Sequence, residues 1–175
     1  PLELVVVPCL SDNYAFLIHN SATGETALID APEAQPIADA LDSRGWTLSD
    51  ILITHHHNDH IDGGAVLRDG ASVIGASADA HRLPPLDLAV DEDTNLTVCG
   101  QQTHVLDVSG HTIGHVAYHL PGAGLAFTAD SLMALGCGRL FEGTPAQMWS
   151  SMLKLRALPA ETLICSGHEY TMTNA

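Results

Sequence analysis

Apolar positions in this chain come in short runs, separated by polar stretches that carry glycine or proline. Residues 2–7, 14–19 and 26–30 read as strands, with 20–25 as the hairpin turn between the last two, so the chain opens as a β-meander. A helix with Pro36 at its first position and its end before Gly45 would bury Ile37 and Leu41 on one side. The run Ile51-Leu52-Ile53 inside 50–54 predicts a buried strand that delivers the histidines beyond it.

Residues 61–68 predict a short helix and 72–75 a strand, and Pro84-Pro85 marks an irregular connection. Strands resume at 96–98, 103–108, 116–120 and 125–128. Thr144-Pro145-Ala146-Gln147 combines a capping threonine, a proline at the first helical position and a glutamine at the third. Met148, Met152 and Leu155 then line one helical face, a stripe read as core. A last strand, 162–165, leads into Ser166-Gly167-His168. Strands and helices in this order suggest an α/β fold of two sheets with helices outside, an αββα sandwich, although periodicity alone does not fix that topology.

Composition narrows the setting. With 175 residues, 46% of them hydrophobic, one domain (1–175) with a substantial core is expected. No apolar run approaches the ~20 residues of a membrane span, and residues 2–7 lack the basic flank of a signal peptide. Cys9, Cys99, Cys137 and Cys165 form no C-x-x-C pair and read as buried free thiols. A soluble, cytoplasmic monomer without a membrane partner is the expectation. The formal charge of −15, with only six lysines and arginines, excludes a nucleic-acid partner.

Four of the eleven histidines lie between positions 55 and 60. His55 and His57, two apart in extended backbone, can point the same way at one ion, while Asp59 and His60 at the following turn can face a second. His111, Asp130 and His168 also sit at turns or strand ends. Two ions need three or four protein ligands each, so these five histidines and two aspartates suffice if one carboxylate bridges and a water is shared. The competing reading is a histidine-rich surface that takes up metal adventitiously. His19, His56, His81, His104, His115 and His119 lack a partner set and read as surface residues or as supports behind a ligand; Asp30 could orient a ligand.

The H-x-H-x-D-H pattern of Thr54-His55-His56-His57-Asn58-Asp59-His60 resembles the metallo-β-lactamase superfamily. Ser11-Asp12-Asn13-Tyr14, residues 110–115, 127–132, 136–145 and 167–171 resemble, in order, the glyoxalase II or hydroxyacylglutathione hydrolase family within it. The resemblance implies that His55, His57 and His111 hold one metal, that Asp59, His60 and His168 hold the other, and that Asp130 bridges. Zinc is expected, with iron or manganese suited to the same donors. Arg139, Phe141 and Tyr170 match positions that contact or flank the glutathione moiety, Phe141 standing where relatives can carry tyrosine. For Arg139, a solvated surface arginine is the competing reading. Asn58 replaces the family's usual tryptophan, and Ala129 its usual glycine. Family members continue into a C-terminal helical domain that supplies basic residues to the glutathione carboxylates; on this resemblance residues 1–175 are expected to lack that domain.

The implied reaction is attack of a metal-bridging hydroxide on the thioester of a small-molecule S-2-hydroxyacylglutathione, with Asp59 as a candidate proton acceptor. The same site directed at a β-lactam, lactone or other ester is the alternative within enzymes. A non-catalytic metal-binding domain is the alternative outside them.

Overall fold

A computed structural model describes residues 1–175. Strands β1 (Leu2–Cys9), β2 (Asn13–Asn20) and β3 (Thr26–Ile29) form the opening meander. Then come helix α1 (Ala34–Asp42), β4 (Asp50–Leu52), short helices α2 (Asn58–Ile61) and α3 (Gly64–Leu67), β5 (Ser72–Ala76) and β6 (Leu88–Val90). The second half holds β7 (Leu96–Val98), β8 (Gln101–Asp107), β9 (Val116–Leu120), β10 (Leu125–Ala129), the two-residue strands β11 (Leu132–Met133) and β12 (Gly136–Cys137), α4 (Pro145–Arg156), β13 (Leu163–Ser166) and α5 (Thr171–Asn174).

One sheet runs β1-β2-β3-β4-β5-β6, the other β13-β10-β9-β8-β7. Alternation along β2 explains the layering. Phe16 and Ile18 point into the space between the sheets, where they meet Leu52, Ile74, Tyr118 and Phe127; Leu17 points to the outer side, where α1 buries Ile37 and Leu41 against Leu28, Ile51 and Val73. On the far side, Leu155 of α4 packs on Val108 and Ala117. The expected αββα sandwich is the observed fold. Across the layers the Tyr118 hydroxyl donates to the Ile53 carbonyl at 2.7 Å, and Val116 N donates to Thr54 O at 2.9 Å.

Some local expectations change. Helix α1 begins at Ala34, so Pro36 is its third residue, still among the first four whose N–H lacks a helical partner. The expected helix over 61–68 is two pieces broken at Gly63. There the backbone presses onto the start of α1: Gly63 N donates to Ala31 O at 2.8 Å, and a Cβ at Gly63 would lie 2.8 Å from Ala34 N. The capping box on α4 is present, Gln147 N donating to Thr144 Oγ1 at 3.2 Å and Thr144 N to Gln147 Oε1 at 2.8 Å. In the methionine stripe, Met148 and Leu155 are buried and Met152 is half-buried. Cys9, Cys99 and Cys165 are buried free thiols, whereas Cys137 is exposed because β12 belongs to a small surface hairpin. No helix is long and apolar enough to cross a membrane.

Candidate metal centre

The parallel strands set the site. β4, β10 and β13 all end at the same edge of the sandwich, and the segments leaving them carry His55 to His60, Asp130 and His168. Two further contacts draw the ends together: Tyr14 N donates to Gly167 O at 2.8 Å, and Gly167 N to Ala129 O at 2.9 Å. His57 is extended (φ −60°, ψ 140°) at the N-cap of α2, which carries Asp59 and brings the His60 ring within 4.2 Å of that of His55.

All seven expected ligands meet. His55, His57, His111 and Asp130 offer donor atoms within 4.8 Å of one another, as do Asp59, His60 and His168. Asp130 Oδ2 stands between the two sets, 3.6 Å from His55 Nε2, 3.3 Å from His111 Nε2, 3.2 Å from His60 Nε2 and 3.3 Å from His168 Nε2. His57 faces His111 Nε2 through Nδ1 at 3.1 Å, and Asp59 Oδ2 lies 3.3 Å from His168 Nε2.

Outer atoms fix the rings. His60 Nδ1 pairs with Asp30 Oδ2 at 2.8 Å and His168 Nδ1 with Asp12 Oδ1 at 2.9 Å. His111 Nδ1 donates to the Arg139 carbonyl at 2.7 Å, and His55 Nδ1 meets the Thr54 hydroxyl at 2.9 Å. With Nδ1 engaged in each case, Nε2 turns inward. Asp30 also accepts from Thr54 N at 2.8 Å and Thr54 Oγ1 at 2.7 Å, held there by a left-handed backbone (φ 59°) that aspartate tolerates better than most residues. Asn13 Nδ2 donates to Asp59 Oδ2 at 3.0 Å.

Electrostatics follow burial and these partners. Burial pushes the Asp130 carboxyl up, but His111, His168, His55 and His60 outweigh it and hold it far below the usual range. Burial would depress His60, yet Asp130 and Asp30 keep it well above the imidazole range; His168 rises to about 10 against burial through Asp130, Asp59 and Asp12. His55, dominated by burial, falls well below it. Buried His55 Nε2, His60 Nε2 and Asp130 Oδ1 have no hydrogen-bond partner. Orphaned inward donors of this kind, five imidazoles and two carboxylates in two sets, fit a pair of divalent cations. A Cβ at Gly167 would strike Asp130 Oδ1, so the cradle requires glycine there.

A cavity of about 880 Å³ opens over the cluster, lined by Asn58, Cys137, Arg139, Phe141 and Tyr170 among others. The expected substrate contacts thus line one cavity, Phe141 over one donor set and Tyr170 over the other. The Phe141 ring stands edge-on to His57 at 5.5 Å and His111 at 5.2 Å, Arg139 covers that ring at 5.7 Å, and Tyr170 stacks on His168 at 4.7 Å.

Sequence reasoning gave Asp12, Asn13 and Thr54 no individual role; their signal was membership of the blocks 11–14 and 54–60 that carry the family resemblance. His115, allowed as a support, is fully buried and stacks on His55 at 4.5 Å, its Nε2 accepting from Asp130 N at 3.3 Å. His119 is neither surface nor support: it is buried on β9 opposite exposed His104. His56 is half-buried 3.8 Å from Asp79, His19 stacks on Trp46, and His81 is exposed.

Sandwich and donor sets together define a metallo-β-lactamase-type domain, and the profile of the metallo-β-lactamase superfamily matches residues 11–168. Within that superfamily the chain belongs to the hydroxyacylglutathione hydrolase family. It is 66% identical over its whole length to a hydroxyacylglutathione hydrolase of Ruegeria pomeroyi, of which it spans 69%, and 55% identical over 99% of its length to one of Rhodobacter capsulatus, of which it spans 68%. Among solved structures, BLEG-1 B3 metallo-β-lactamase superposes with a TM-score of 0.88 at 23% identity, over 95% of this chain and 92% of that one, a likeness of fold alone. ETHE1 from Myxococcus xanthus superposes with a TM-score of 0.80 at 30% identity, over 97% of this chain and 76% of that one.

Proposed function

We propose that this chain hydrolyses the thioester of an S-2-hydroxyacylglutathione such as lactoylglutathione, releasing glutathione and a 2-hydroxy acid. The observation that carries the reading is the convergence of two donor sets on Asp130 Oδ2, in a chain 66% identical to a protein of that name. We assign one ion to His55, His57 and His111, the other to Asp59, His60 and His168, with Asp130 bridging. Zinc suits these donors best, and iron or manganese would also suit them. When bound, the pair would supply hydroxide near neutral pH and polarise the thioester carbonyl.

The side chains do the rest. Asp59, tied by Asn13 and drawn far below the carboxylate range by the His168 hydrogen bond, is held as an anionic ligand; its second role, accepting a proton in passing, is subordinate. Phe141 and Tyr170 form apolar walls that orient the substrate, and Arg139 is the cation placed to meet a glutathione carboxylate. Phe141 offers no hydroxyl, so orientation there rests on packing. We read the 1–175 sandwich as one catalytic unit, and its free thiols favour a reducing cytoplasm as its setting.

The test is metal quantification on purified protein combined with initial rates on a glutathione thioester, a β-lactam and a generic ester. Two ions per chain and preference for the thioester support the proposal. Preference for the β-lactam or ester would replace the substrate, and two ions without turnover would leave a metal-binding domain.

A further inference from the structure

A second polar cluster lies behind the site and is not part of either donor set. Arg82 sends its fork onto Glu142, Nη1 to Oε2 at 2.6 Å and Nη2 to Oε1 at 2.7 Å, and its Nε onto Asp79 Oδ1 at 2.8 Å. Glu142 also accepts from Ile113 N at 2.8 Å. Asp79 is buried, and a Cβ at Gly114 would collide with its carboxylate, so the 110–114 segment packs directly on it. His56 stands 3.8 Å from both Asp79 and Glu142.

An isolated exposed ion pair contributes little to a fold. This one differs in geometry: the fork is bidentate, it rests on a buried carboxylate, and it joins three segments distant in sequence. Glu142 lies in the segment that sets the His55, His57 and His111 half of the site. Arg139 O accepts from His111 Nδ1 at 2.7 Å, Phe141 N donates to His111 O at 3.3 Å, and Gly143 N donates to Gly110 O at 2.9 Å. Gly138 is pressed so closely on Asp130 O and His111 that a Cβ there would collide. Arg82 is the cation that ties this segment to the first half of the chain.

We propose that Arg82 is a positioning residue: its fork on Glu142 clamps residues 138–143 against the His55, His57 and His111 half-site, fixing the His111 ring and the Phe141 wall from outside. This rests on the two-ion reading above.

The test uses the full chain, stripped of metal and titrated with cobalt(II), uptake being followed by its visible absorbance. Arg82→Ala should weaken one of the two equivalents about tenfold, the lower end of what losing a group behind a ligand costs and about 1.4 kcal/mol, while leaving the other unchanged. Glu142→Gln keeps the size of the side chain and its bond from Ile113, so it supplies the same comparison if Arg82→Ala does not fold. Arg82→Lys, which retains one charged bond, should recover most of the loss. Equal weakening of both equivalents would mark general loosening and overturn the clamp, as would unchanged affinities in the folded variants. A parent chain taking up a single equivalent would instead overturn the two-ion reading; the clamp then stands or falls on whether Arg82→Ala weakens that equivalent.

Discussion

The two halves of the centre share Asp130 but are supported in different ways. Behind His60 and His168 stand carboxylates, Asp30 and Asp12, and Asp59 adds a third from the front. Behind His55 and His111 stand uncharged oxygens, the Thr54 hydroxyl and the Arg139 carbonyl. A carboxylate at the outer nitrogen makes an imidazole more basic, whereas a carbonyl mainly fixes its direction. The halves also differ in charge: His60 and His168 stand above the ordinary range, raised by Asp130 and then by Asp30 or by Asp59 and Asp12, whereas burial and neighbouring imidazoles hold His55 and His57 below it. One half is tuned by charge, the other by placement.

The largest effect should come from what the halves share. Asp130→Ala is expected to lower metal content below two ions per chain and turnover by more than the roughly 100-fold that losing a supporting group can cost; an active, fully metallated variant would remove the bridging role. Next comes the charge-tuned half. Asp12→Ala, which removes a carboxylate that pairs with His168 alone, should weaken one ion by about 10–100-fold in metal titration while the other changes little, and equal weakening would erase the distinction between halves.

On the placement side, Arg139→Ala leaves the backbone carbonyl on His111, so two ions should remain while KM for a glutathione thioester rises about tenfold, the scale of one charged hydrogen bond, and KM for a small ester stays constant. The smallest effect concerns the strand end feeding both halves. Ala129 has φ 44°, which an L-residue adopts at a cost, so Ala129→Gly should stabilise the protein by about 0.5–1 kcal/mol in denaturant unfolding without altering metal content.

Much of this was legible because it is local. The H-x-H-x-D-H loop follows a buried strand, and the capping box and the meander are short-range patterns. What was not legible depends on partners far away in the chain. β6 exposes Leu88 and Ala89 and buries only Val90, too little alternation to read as an edge strand. The break at Gly63 exists because α1 lies against it, and the two-residue strands β11 and β12 have no period at all. At the site, all seven ligand candidates converge, but the pairing of Asp12 with His168 spans most of the chain and leaves no trace in the spacing of either. His119, a lone histidine in an apolar strand, gave no sign that Ala126 and α4's side of the sheet would leave it buried.

That pairing of Asp12 with His168, with the bridge between Asn13 and His168, also sets an order of events. Closing so long a loop is entropically costly and slow compared with forming the hairpins and helices within it. During synthesis the loop carrying His55, His57 and His60 emerges early, while His168 arrives only when nearly all of these residues have been made. The half-site of His55, His57 and His111 can therefore assemble first, and the other waits for two segments far apart in sequence to meet. Metal uptake in two stages would then report how far the nascent chain has folded.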